Sequence, residues 1–88
     1  MLTISHVPIK VTEVRHELSL HEGAIIDDLK LVGDEWVLIV RSNEENPKKT
    51  HMVRRFDAGQ PGPTMAFPYI ATIDVDGVLG SFYDAGER

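Results

Sequence analysis

The sequence contains no cysteine, which excludes disulfides, zinc–thiolate sites and cysteine nucleophiles. Exported proteins of this size usually depend on disulfides, so this absence favours the cytoplasm. Long apolar runs are also missing, because none approaches the roughly 20 residues that span a bilayer. The N-terminus lacks the charged and apolar regions of a signal peptide. We therefore expect a cytoplasmic protein with no membrane partner.

Basic residues are scarce: the 88 residues include 9 Lys+Arg against 14 Asp+Glu, a formal net charge of −5. Affinity for polymeric nucleic acid comes largely from neutralising many phosphates, so we expect no such partner. A small ligand with one or two phosphates needs only a local basic site. The length suits one domain, residues 1–88, with a core small enough to favour homo-oligomerisation.

Helical periodicity is weak, and the dominant hydrophobic period is two. The Asp76-Gly77 pair between two apolar runs is typical of a two-residue type I′ hairpin turn. We predict an all-β fold, a small antiparallel sandwich or open barrel of about seven strands. The predicted strands cover residues 3–7, 14–20, 25–32, 36–40, 50–57, 69–75 and 78–83, with 36–40 as a central strand and 84–88 as a frayed tail.

The most informative segment covers residues 50–63, where a basic strand runs into a loop rich in glycine and proline. Adjacent strand residues face opposite sides, so Arg54 and Arg55 cannot both hold one phosphate unless the strand bulges or two subunits contribute. The planar guanidinium fork suits phosphate. At each position the alternative is a solvent-facing charge or a structural ion pair with one of the many carboxylates.

The loop at 58–68 adds two further candidate residues, Gly59 and Gln60. A backbone with positive φ can present N–H groups to an anion, although the same sequence also suits a plain wide turn. Phe67 and Tyr69 lie at the end of this loop, and they are the two aromatic residues that we expect outside the core. There Tyr69 would stack on a base. The candidate ligand-binding residues are Arg54, Arg55, Gly59, Gln60, Tyr69 and Thr72.

Catalytic and metal-binding patterns are not found. The four histidines show no compact metal-ligand spacing, and no Ser/His/Asp arrangement or carboxylate pair is indicated by spacing. We therefore expect no enzymatic activity, no metal and no cofactor.

Four segments in order resemble a family of short, uncharacterised phage proteins: residues 22–26, 36–40, 55–61, and 69–72 leading to 77–79. The family pattern has Thr and His where Ala58 and Gln60 stand, Gly at Ala71, and a frequent His at Ser81. Gln60 retains hydrogen-bonding capacity in place of a neutral imidazole.

The same group also resembles phage sponge proteins that counter the bacterial CBASS defence. That resemblance implies an oligomer in the host bacterial cytoplasm that binds and sequesters a cyclic dinucleotide such as 3′3′-cGAMP without hydrolysing it. The alternative is a protein-interaction or structural phage protein, either an inhibitor of a host protein or a virion component, because an acidic surface can block a basic host site.

Overall fold

Seven antiparallel strands form the protein, whose computed structural model describes all residues, 1–88. The all-β prediction is confirmed. There is no helix in the chain that is long and apolar enough to cross a membrane. The strands are β1 (Leu2–Pro8), β2 (Arg15–His21), β3 (Ile25–Val32), β4 (Glu35–Asn43), β5 (Lys48–Asp57), β6 (Tyr69–Val75) and β7 (Val78–Glu87).

The strands are divided between two open sheets. One has the order β1-β4-β3 and the other the order β2-β5-β7-β6. The most apolar run of the sequence, in β4, lies at the centre of its sheet and pairs on both sides, as predicted. The core lies between the two sheets, which is the arrangement of a β-sandwich.

Residues from both sheets build one core. Val53 and Phe82 come from the four-stranded sheet, and Leu38 and Val40 from the three-stranded sheet; each is at most 1% exposed. Because alternate strand residues face opposite sides, the neighbours of Val53 and Phe82 lie on the outer face of their sheet. The core cluster comprises Leu20, Ala24, Ile26, Leu29, Leu38, Val40, Val53, Ile70 and Phe82.

The β6–β7 hairpin has the predicted turn. Asp76 has φ 51° and Gly77 has φ 86°, the pair of positive angles that a type I′ turn requires. A one-residue irregularity in β3 falls between Ile26 and Asp28. It explains the interrupted alternation of the sequence there, because a bulge inserts one residue that has no partner.

The prediction of a frayed tail at 84–88 was wrong. Strand β7 continues to Glu87 and pairs with β5. The backbone N–H of Arg88 donates to the carbonyl of Thr50 at 2.9 Å, and the Asp84 carboxylate lies 2.6 Å from the His51 ring. The position of these residues at the end of the chain suggested fraying, but hydrogen bonds to β5 hold them in place.

Candidate functional site

One outer surface of the four-stranded sheet brings aromatic, hydroxyl and arginine side chains together. In the pairing register Arg54 of β5 lies opposite Tyr83 of β7, which lies opposite Tyr69 of β6. Paired residues in antiparallel strands point to the same face. We call this surface the aromatic face and define it by Arg54, Phe56, Tyr69, Thr72, Ser81 and Tyr83.

The three rings of the aromatic face touch edge to face. Tyr83 lies between the other two, with its ring centroid 5.6 Å from that of Phe56 and 5.6 Å from that of Tyr69. Such contacts are favourable for aromatic pairs, and they fix the rings without burying them all. Tyr69 remains 58% exposed, so its surface is available for stacking with a planar ligand.

Arg54 lies on the same face and has no carboxylate partner. Its guanidinium carbon is 5.1 Å from the centroid of the Phe56 ring, which is a cation–π contact. Its Nε is buried and has no hydrogen-bond acceptor. The side chain is therefore held by an aromatic ring while its charge remains uncompensated within the chain.

Three hydroxyl groups continue the aromatic face beside the rings. The Thr72 Oγ1 lies 2.7 Å from the Tyr69 hydroxyl and 2.8 Å from the Ser81 Oγ. Each hydroxyl can donate or accept a hydrogen bond, so the three groups can reorient their hydrogens to bind either a donor or an acceptor on a ligand. The structure thus brings three of the sequence-predicted residues, Arg54, Tyr69 and Thr72, onto one surface.

Arg55 lies on the opposite, inner face of β5 and is used within the protein. Its NH1 group donates to the carbonyl of Val11 at 2.8 Å, and NH2 donates to Oδ2 of Asp57 at 3.2 Å. Nε is 2.8 Å from the other Asp57 oxygen, an ionic contact whose angle does not suit a hydrogen bond. Gly80 leaves room for this side chain, because a Cβ there would lie 2.8 Å from the Arg55 Cδ. Arg55 therefore forms a structural ion pair, which was the alternative to phosphate binding at this position.

Gly59 and Gln60 lie in the turn that follows β5. Gly59 has φ +84°, as the anion-nest hypothesis required, but the Gln60 N–H donates to the carbonyl of Asp57 at 3.2 Å. Asp57 itself lies three positions beyond Arg54, about 10 Å at roughly 3.3 Å per residue. The structure does not bring these two loop residues together with Arg54.

Two concave regions lie elsewhere, and the aromatic face, which is an open sheet surface, lines neither of them. The first measures about 450 Å³ and the second, between the two sheets, about 160 Å³. Phe67, expected outside the core, is half-buried and lines the first. Sequence-tolerant recognition of bases on open sheets works by stacking on exposed rings rather than by enclosure, so a flat aromatic face can still bind a base.

A buried histidine–carboxylate pair lies beside the larger concave region. His51 Nε2 and Asp84 Oδ1 are 2.6 Å apart, and the two side chains are 4% and 15% exposed. Because a carboxylate can only accept, the hydrogen is on Nε2. Burial raises the pKa of Asp84. The hydrogen bonds from His51 and from the Gly86 N–H, together with the electrostatic attraction of His51, lower this pKa by more than burial raises it. The net result is a pKa below the ordinary 3.8.

This pair predicts a specific acid sensitivity. A carboxyl group whose folded pKa is depressed contributes stability above its unfolded pKa, and that contribution is lost as pH falls through the folded value. We expect the melting temperature of the protein to fall as pH drops below about 4. In Asp84→Asn that fall should be shallower, and stability at pH 7 should be lower. Thermal melts from pH 7 to pH 2 test this, with Glu44→Gln, a change at an exposed carboxylate without an ion pair, as the control. Parallel curves for wild type and Asp84→Asn would contradict it.

Comparison with known proteins adds no assignment: no protein family, curated protein or solved structure matches this chain. The assignment of the candidate site therefore rests on the geometry of its residues. Sequence reasoning did not include Phe56, Ser81 and Tyr83 among the binding residues. The alternation Leu79, Ser81, Tyr83 along the last strand, opposite the buried Phe82, was the signal that would have placed Ser81 and Tyr83 on one outer face.

Proposed function

We propose that this protein binds a small nucleotide of the cyclic dinucleotide class on the aromatic face and sequesters it without hydrolysis. The observation that carries the proposal is the presence of Arg54, an arginine without a carboxylate partner, and the exposed Tyr69 ring on one sheet surface, with Tyr83 between them. Such a ligand offers phosphates to the first and a planar base to the second. The resemblance to phage sponge proteins supports a role in immune evasion in the bacterial host cytoplasm.

A ligand screen by thermal denaturation tests the proposal. The ligands are 3′3′-cGAMP, other cyclic di- and trinucleotides, and linear dinucleotides. A ligand at 100 times its dissociation constant stabilises the folded state by about 2.7 kcal/mol, so the melting temperature should rise by about 10 °C or more for a domain of this size. The bound nucleotide should be recovered intact by chromatography after the protein is denatured.

Two aromatic residues on either side of Pro68 provide a matched control. Tyr69→Ser should abolish most of the ligand-induced rise, because it removes the exposed ring. Phe67→Ser removes a half-buried ring that lines the other concave region, so the basal melting temperature should fall while the ligand-induced rise persists. If no nucleotide shifts the melting temperature and a host protein co-purifies instead, the alternative of a protein-interaction module replaces this function.

We further propose that the protein is a homo-oligomer. Only 16 of the 88 residues are buried in one chain, and domains with so small a core commonly gain stability by association. Light scattering coupled to size-exclusion chromatography should give a mass that is twice or a higher whole multiple of the 9.8 kDa of one chain. A monomeric mass at high micromolar concentration would refute the oligomer but leave nucleotide binding open.

A further inference from the structure

A second arginine lies beside the aromatic face, on the edge strand β2. Arg15 is the direct antiparallel partner of Arg54, so the two side chains leave the same face with Cβ atoms about 5 Å apart. Neither arginine forms an ion pair, whereas Arg41, Arg55 and Arg88 each do. These two are therefore the arginines of the chain whose charge no carboxylate balances.

The juxtaposition is unusual for such an acidic protein. Like charges directly opposite each other destabilise a sheet. The chain has 14 Asp+Glu against 9 Lys+Arg, so enough carboxylates are present for each of the two arginines to have an acidic partner. The carboxylate two positions along the same face of β2, Glu17, is instead 3.4 Å from Arg88. An anion bound between Arg15 and Arg54 would relieve that repulsion.

We propose that Arg15 and Arg54 form an anion subsite for a phosphate or phosphodiester group. The row Arg15–Arg54–Tyr83–Tyr69 crosses four strands, and three interstrand spacings of about 4.8 Å give it a length of about 14 Å. One end carries the arginine pair and the other the tyrosine pair. That this phosphate belongs to a nucleotide, with its base at the tyrosine end, rests on the proposed function.

Arginine side-chain NMR tests the subsite directly, because the chain has five arginines and each Nε–H gives one signal. Inorganic pyrophosphate is the probe, titrated at low ionic strength. The signals of Arg15 and Arg54 should shift with saturation, and those of the ion-paired Arg41, Arg55 and Arg88 should stay in place. Equal shifts of all five, or none, would overturn the subsite.

Arg15→Gln separates an anion-binding role from a structural one. Removing one of two repelling charges should raise the melting temperature of the ligand-free protein by about 2–4 °C at low ionic strength. It should also weaken pyrophosphate binding about tenfold or more. Lys10→Gln removes the same charge from an exposed, unpaired lysine and should leave pyrophosphate binding unchanged. Unchanged pyrophosphate binding by Arg15→Gln would show that Arg15 is not part of an anion site. A lower melting temperature would overturn the repulsion between Arg15 and Arg54 from which the subsite is argued.

Failure of the subsite and failure of the proposed function give different results. If pyrophosphate shifts the two arginine signals while 3′3′-cGAMP and the other nucleotides bind no better than pyrophosphate, the anion subsite stands and nucleotide sequestration fails. If a nucleotide binds wild type and Arg15→Gln equally well, the function stands and the arginine pair is refuted.

Discussion

Replacing Arg55 with leucine is expected to lower the free energy of unfolding by about 3 kcal/mol. The Arg55 and Asp57 side chains are 12% and 19% exposed, so losing the guanidinium leaves a mostly buried carboxylate without its partner. The carbonyl of Val11 loses its donor as well. For a domain of this size the melting temperature should fall by about 15 °C, as measured by urea or thermal denaturation.

The partner of the ion pair provides the control. Removing both charges in Arg55→Leu/Asp57→Leu should recover much of the lost stability, because most of the penalty comes from the isolated carboxylate. The part that comes from the unpaired Val11 carbonyl should remain. Arg55→Lys keeps the charge but not the fork, so it should lie between wild type and Arg55→Leu and remain folded if the leucine variant does not. A loss below about 0.5 kcal/mol for Arg55→Leu, the range of ordinary surface substitutions, would show that the pair is not structural.

The strand pattern correctly separated Arg54 from Arg55, because alternation in a strand is a local property of the sequence. It left open which of the two faces the core. That choice depends on the neighbouring strands: Arg55 is paired with Phe82, which is fully buried, and Arg54 with Tyr83, which is only partly buried. No local signal in residues 50–57 carries this information.

Long-range pairing also explains what sequence reasoning missed. Arg15 and Arg54 are 39 positions apart and meet only because β2 and β5 are neighbours in a particular register. His51 and Asp84 are 33 positions apart, and the hydrogen bond between them helps to hold the C-terminal strand. Period-two alternation and turn residues predicted the strands and the β6–β7 hairpin, but neither specifies which distant strands pair. The arginine pair therefore became visible only in the folded chain.

Arg54→Glu is expected to weaken nucleotide binding by about 100-fold. The change removes charge-assisted hydrogen bonds worth about 1.5–3 kcal/mol and places a carboxylate where the phosphate would bind. Stability should change little: the cation–π contact with Phe56 is lost, but the new carboxylate would face Arg15 across the strands and replace a repulsion with an attraction. Titration calorimetry with the nucleotide that gives the largest thermal shift measures the affinity.

Adjacent residues of one strand should thus give opposite results. Arg55→Lys should bind the nucleotide with nearly wild-type affinity while it remains folded but less stable, and Arg54→Glu should be stable but fail to bind. Arg41→Glu makes the same charge reversal on the other sheet, where Arg41 pairs with Asp27, and should retain affinity. If Arg41→Glu and Arg54→Glu lose affinity equally, the loss reflects net charge rather than the aromatic face. If Arg54→Glu binds as tightly as wild type, Arg54 does not contact the ligand and the site lies elsewhere.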